Sequence, residues 1–356
     1  MRQSSHDTTH THGNARRIRQ QAFRLLENDD DLAQFHATLL DWYEQNGRDF
    51  PWRQARWAGA PAPEPYIVLI SEVMLQQTQT RRVQEKLPLF LERFPTIFAL
   101  AQADNAEVVR AWEGMGYNSR ALRLRDCAKA VVERHSGVIP SAIEELRALP
   151  GIGAYTAAAI AVFAYGAEAP VVDVNIRRVY SRLTARRATT AETASPKESD
   201  NLAERLYARS RASSWHQAIM DIGASYCLAR APKCDICPIA RFCLSAGAMT
   251  EAKKIKRPEP SHRGVPNRIW RGRIVQALRS LKAGEYIQAQ KLYAQIFPDD
   301  GDQISTDDAA RFLELLRALE RDGIVETTFV STSLSEAFSE PRFEIFSGVS
   351  ARLRSA

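Results

Sequence analysis

Two acidic residues stand in contrasting surroundings. Glu72 opens the stretch SEVMLQQTQT (71–80) directly behind the apolar run Tyr66-Ile67-Val68-Leu69-Ile70, and no other charge follows until Arg81. If that run is a helix that carries Glu72 into the interior, desolvation raises the carboxyl pKa and keeps it protonated. Asp173 follows Val171-Val172 and precedes the helical pattern Val174-Ile176-Val179-Tyr180. At an N-cap, backbone N–H groups and the helix dipole favour the charged form. One neutral acid and one retained anion are what cleavage of a bond through a cationic transition state requires.

A third constellation is Cys227-x6-Cys234-x2-Cys237-x5-Cys243, four of the five cysteines within 17 residues. Four thiolates on a short loop hold a tetrahedral zinc or a cubane iron–sulfur cluster. Structural zinc more often uses two Cys-x2-Cys knuckles, and one is present here, so the spacing favours the cluster. Pro232 and Pro238 stiffen the loop, and Arg230, Lys233 and Arg241 make it basic, which suits a phosphate contact. Cys127 falls in the helical pattern Leu122-Leu124-Cys127-Val131 and reads as core.

The elements that position these groups are helical from about 31 to 245, with Gly, Pro and Asn at short turns. In PSAIEELRALPGIGAYTAAAIAVFA, Ser141 and Glu144 form a capping box, the helix stops at Pro150-Gly151, and a small-residue helix starts after Gly153. The two glycines allow a tight turn whose N–H groups, at a helix N-terminus, bind phosphate without side-chain charge. A turn packed for its own sake is the alternative for this motif taken alone.

Residues 1–30 are polar, carry His6, His10 and His12, and read as a disordered tail. The stretch 251–273 holds eight Lys/Arg against two Glu, its first part (251–265) a basic linker. Beyond it, 268–281 and 306–321 have helical spacing, and IVETTFV and PRFEIFS look strand-like. Helices followed by a hairpin fit a small α+β, winged-helix-like module at 266–356; a simple α+β dimerisation domain fits as well. A net charge of +6 suits a polyanionic partner. No apolar run approaches the roughly 20 residues that span a membrane, and the first residues lack a signal-peptide core. A cytoplasmic monomer is expected, nucleoid-associated if bacterial.

LPGIGAY (149–155), Asp173 twenty residues beyond the hairpin, and the cysteine loop together resemble the helix–hairpin–helix DNA glycosylases of the endonuclease III superfamily. GRDFPWR (47–53), SEVMLQQTQT and GMGYNSRA (114–121) look like its adenine DNA glycosylase branch. The likeness spans about 35–245. It implies an all-α fold with a six-helix barrel (51–167) and an iron–sulfur cluster domain built from 31–50 and 168–250. Duplex DNA would lie across the cleft between them, carrying a mismatch or oxidised guanine.

By that resemblance Glu72 is the acid that protonates adenine and Asp173 stabilises the sugar cation or attacks it, beside Asn175. Gln76, Gln77 and Tyr117 hold the duplex open once the base is extruded. Gly151, Gly153, Arg230 and Lys233 contact the backbone, and Cys227, Cys234, Cys237 and Cys243 hold a [4Fe-4S] cluster. Bifunctional relatives have a Schiff-base lysine where Tyr155 stands, so a monofunctional enzyme that leaves an abasic site is implied. Asn118 replaces a second aromatic, Val174 replaces a glycine, and 266–356 does not match the domain that reads 8-oxoguanine in the family. Two other readings are a glycosylase removing thymine or uracil opposite guanine, and a non-enzymatic iron–sulfur DNA-binding protein.

Overall fold

The computed structural model describes residues 28–54, 64–184, 193–251, 259–297, 305–329, 346 and 348–355. The tail up to residue 27 and residues 252–258 of the basic linker lie outside these residues. The chain divides into two compact units: Met1–Val68 with Ser141–Glu144 and Gly153–Ile255, and Leu69–Pro140 with Glu145–Ile152 and Lys256–Ala356.

The first unit is helical. Helix α1 (Asp29–Asn46) starts at Asn28, whose side chain accepts from the Asp30 N–H, and three aspartates fill its first turn, where they complement the helix dipole. Its apolar face places Phe35 edge-on to Trp215 and Phe242 in a core that also holds Leu39, Tyr180 and Ile222. The one polar group of the buried Trp215 is satisfied, its indole N–H donating to Tyr180 Oη at 3.0 Å. The small-residue helix Ala154–Tyr165 is buried over most of its surface and ends at Gly166 in the left-handed conformation, a glycine C-terminus.

GRDFPWR forms a clamp in this unit. Asp221, its side chain fully buried, accepts from the Arg48 N–H and Nε, both at 2.8 Å, and from both terminal nitrogens of Arg53 at 2.9 Å. The Phe50 ring stacks on Trp52 and lies under both guanidiniums. A buried carboxylate with this many charge-assisted donors ties the motif to the helix Ala212–Ser225.

In the second unit, Thr80–Arg93, Ile97–Gln102, Asn105–Ala111 and Ser119–His135 are helices. Asp104 and Glu107 close a reciprocal capping box on the third. The C-terminal segment follows the order helix (Asn267–Arg279), strand (Ile287–Gln288), helix (Ala289–Ile296), helix (Thr306–Arg321), strand (Val325–Phe329), strand (Val349–Leu353). The last strand lies between the other two, antiparallel to both. This is a winged-helix-like arrangement. The expected partner strand PRFEIFS lies largely outside the described residues, and Val349–Leu353 pairs with Val325–Phe329 instead. The middle helix was not anticipated, although Ala289, Leu292, Tyr293 and Ile296 have helical spacing and are buried.

This module shares one core with the helices Asn105–Ala111 and Ser119–His135. Ala106, Val109 and Leu122 join the cluster built on Trp270, Leu278, Tyr293, Phe312 and Leu316. Asn105 adds two polar ties, its N–H donating to Ser355 O at 2.9 Å and its amide to Gly323 O at 3.0 Å.

Candidate active site and cluster loop

Glu72 lies on the helix Pro65–Leu75, of which Tyr66–Ile70, Val73 and Met74 are all buried. A helix apolar on every side is enclosed rather than amphipathic, and Glu72 itself is 5% exposed. The acid is interior, not on a solvent face. Half-buried Gln76 and exposed Gln77 follow at the helix end, Gln77 with φ of 55°.

That helix end is secured by Arg120, a residue whose role the motif GMGYNSRA did not disclose. One terminal nitrogen donates to Val73 O, Met74 O and Gln76 O at 3.0, 3.1 and 2.5 Å. The other donates to Thr78 Oγ1, Met115 O and Gly116 O at 3.0, 2.9 and 3.1 Å. A cation at a helix C-terminus satisfies carbonyls with no intrahelical partner and meets the negative dipole end. Burial lowers the Arg120 pKa to about 10, so it stays charged at neutral pH. The available signal was a charge on the stripe Ala121-Leu124-Cys127-Ala128-Val131, all buried.

The loop gripped by Arg120 presents Tyr117, half exposed and at φ of 47°, behind Gly114 and Gly116 at 80° and 69°. The Trp112 indole N–H donates to Gly116 O at 3.1 Å. A non-glycine residue held in the left-handed region is a position where surrounding structure overrides local preference, and such positions cluster at functional sites.

The two hairpin glycines have separate reasons. Gly151 has φ of 76°, and a Cβ there would come within 2.9 Å of the Arg123 Cβ. Gly153 has an ordinary φ of −89° and starts the helix Ala154–Tyr165 with open space where a Cβ would stand. Tyr155 is half-buried and packs against the core of the first unit.

Asp173 caps the helix Val174–Thr184. Its Oδ1 accepts from the Ile176 N–H at 2.6 Å and its Oδ2 from the Asn175 amide at 2.7 Å. The Asn175 oxygen accepts in turn from Arg178 at 3.1 Å. Arg178 also donates to Cys227 O and Gly223 O, each at 2.7 Å. Gly223 admits this approach, since a Cβ there would stand 3.0 Å from the Asn175 Cβ. A continuous hydrogen-bonded path thus links the Asp173 carboxylate to the first cysteine of the loop. Val174 points outward, 72% exposed.

Cys227, Cys234, Cys237 and Cys243 line one cavity with Val179, Ile222 and Ile239. Arg182, buried beside them, donates to Leu228 O and Ala229 O at 2.7 and 3.1 Å and lies 3.5 Å from the Cys227 sulfur. Among the described residues no three His, Cys, Asp or Glu side chains are grouped to hold a single ion. Four thiols around a shared apolar space suit the wider cage of a polynuclear cluster. Burial pushes the Cys237 thiol up to about 12, so cluster assembly must displace its proton. Arg230 and Lys233 are exposed on this loop; Arg241 instead donates to Thr38 at 2.6 Å and lies over Phe242.

Residues 70–208 match the model of the HhH-GPD superfamily base excision DNA repair proteins, and 227–243 that of the iron–sulfur binding domain of endonuclease III. The chain is 41% identical over 244 residues to the adenine DNA glycosylase of Mycolicibacterium smegmatis, covering 68% of this chain and 79% of the relative. The corresponding protein of Mycobacterium tuberculosis is 38% identical, with 68% and 78% covered. This chain belongs to the adenine DNA glycosylases.

It is accordingly an N-glycosidase of base excision repair, carrying a [4Fe-4S] cluster on its four-cysteine loop. The human adenine DNA glycosylase is 38% identical over 224 residues, which cover 62% of this chain and 41% of that one. Among solved structures, a thermostable thymine-DNA glycosylase matches with 28% identity and a TM-score of 0.54, covering 60% of this chain and 96% of its own. A non-covalent endonuclease III–DNA complex, 22% identical, matches with a TM-score of 0.50 over 60% and 94%, a likeness of fold. Among the described residues no helix is long and apolar enough to cross a membrane.

Proposed function

We propose that this adenine DNA glycosylase removes adenine paired with guanine or 8-oxoguanine in duplex DNA, by hydrolysis alone, with Glu72 as acid and Asp173 as anion. The observation that carries this reading is the contrast between the two carboxyl groups. Glu72 is 5% exposed on a helix of buried apolar residues, a position that shields a proton donor from water. Asp173 stands at a helix start, its two oxygens held by a backbone N–H and an amide.

Each group then has one task. Glu72 protonates a ring nitrogen of the extruded adenine, which makes the base a competent leaving group. The C1′–N bond breaks as positive charge spreads over the sugar, and the Asp173 carboxylate stabilises that charge, as in other glycoside hydrolyses. Water supplies the oxygen that bonds to C1′ and loses a proton, leaving an abasic site. Asn175 orients Asp173 through its amide. Tyr155, a phenol, cannot form the Schiff base that strand cleavage needs.

Gln76, Gln77 and Tyr117 occupy the gap in the duplex. The turn at Gly151 and Gly153, together with Arg230 and Lys233, contacts phosphates, and the cluster holds its loop in shape. The enzyme works as a monomer in the cytoplasm.

Single-turnover assays on duplexes carrying A, T or U opposite G or 8-oxoguanine test this reading, with and without alkali. Adenine excision with strand breakage only after alkali is expected. Breakage without alkali, or excision of T or U alone, would overturn it.

A further inference from the structure

Arg279, the last residue of the helix Asn267–Arg279, reaches out of the C-terminal module to both ends of the loop that presents Tyr117. Its Nε and Nη2 donate to Val109 O at 3.1 and 2.9 Å, and Nη2 also donates to Asn118 Oδ1 at 2.9 Å. Val109 lies in the last turn of the helix before the loop, and Asn118 directly precedes the helix after it. One guanidinium therefore joins the two stems of residues 112–118.

Neighbouring groups reinforce the tie. Gln276 donates to Glu113 in the loop at 2.7 Å, and Arg110 donates to Leu281 O at 3.4 Å. Underneath, Val109 and Leu122 belong to the same core as Leu278, so the side chain projects from a fixed platform. The planar fork suits this work, since one rigid group satisfies two acceptors at a set separation. The third helix of the module, Thr306–Arg321, carries four acids against three arginines, not the charge of a helix laid on phosphates.

We infer that the C-terminal module acts as a brace on the Tyr117 loop, with Arg279 as the positioning residue and Asn118 as its partner. The inference rests on the reading that Tyr117 enters the duplex. Arg279 touches no reacting atom; it holds a strained loop in the shape that the free enzyme brings to DNA. That shape lowers the cost of ordering the loop during base extrusion.

The test uses the full-length holoenzyme and Arg279→Ala, Asn118→Ala, their double variant and Arg279→Lys. Thermal melting and the visible absorption of the cluster report folding, and Asn118→Ala removes the acceptor without altering the module. Hydrogen exchange over 112–118 is read without DNA. Extrusion is read with 2-aminopurine at the target position, and binding is read as a function of salt.

Both single alanine variants should exchange faster in the loop and extrude the base roughly tenfold less favourably, the equivalent of about 1.4 kcal/mol. The double variant should lose no more than either single one, and Arg279→Lys should recover only part. The salt slope should stay unchanged. Unaltered exchange in Arg279→Ala overturns the brace. So does a salt slope reduced by about one with normal extrusion, which would make Arg279 a phosphate contact. Tyr117→Ala separates the two readings. If it extrudes normally, the wedge reading fails and takes the extrusion role with it, while exchange still measures the brace. If it alone blocks extrusion and Arg279→Ala does not, the inference fails and the wedge reading stands.

Discussion

Arg178 donates to the side-chain oxygen of Asn175 at 3.1 Å, while the amide of Asn175 faces Asp173 at 2.7 Å. The orientation of that amide is therefore set from the side of the cysteine loop, to which Arg178 is bonded through Cys227 O. Arg178→Gln should lower single-turnover excision by roughly tenfold, the scale of one charge-assisted hydrogen bond. Duplex affinity should change far less. Visible absorption of the variant should also fall faster on dilution or oxidation, because Cys227 loses its anchor; an unchanged rate and an unchanged cluster would refute the link.

Glu72→Gln keeps the shape of the side chain but cannot give up a proton as the acid does. Excision of adenine should drop by at least about a hundredfold, within the range assigned to general acid catalysis. Binding of a duplex with a non-cleavable adenine analogue should survive. Retained turnover would remove Glu72 from the role.

Asp221 is buried under two arginines. Asp221→Asn leaves both guanidiniums without their anion, and breaking such a pair costs about 3–5 kcal/mol. The expected outcome is a large fall in melting temperature, measured by circular dichroism with the cluster intact. Because the clamp contains neither proposed catalytic acid, residual folded enzyme should bind DNA and still excise.

His216 is fully buried, with Nε2 3.0 Å from Ala169 O and its ring stacked on Tyr207. Burial lowers its pKa from 6.5 to about 4. The unfolded chain therefore binds a proton that the folded protein refuses between these values. Its contribution is full above pH 6.5 and is lost as pH falls towards 4, by about 3 kcal/mol in all. Denaturant midpoints across this window should show the slope, and His216→Gln should flatten it. A slope identical in the variant would place the titration elsewhere.

Much of the chemistry was legible in the residue order because it depends on local spacing. Cysteine intervals, a glycine turn before a small-residue helix, and an aspartate at a helix start are all short-range features. The apolar run around Glu72 likewise announced an enclosed acid. The C-terminal strands were less legible, since the pairing of Val325–Phe329 with Val349–Leu353 crosses a long connection. No local pattern sets such a register.

By itself, the sequence determined the helical periodicities, the Asp173 cap, the cluster spacing and the opposed surroundings of the two acids. Only the tertiary structure decided what Arg120, Arg178 and Arg279 do. Each guanidinium satisfies backbone carbonyls or amide oxygens brought near it by packing, and those partners lie as far as 170 residues away. A carbonyl carries no mark in the sequence of who will bond it; burial, which forbids leaving it unpaired, makes the choice.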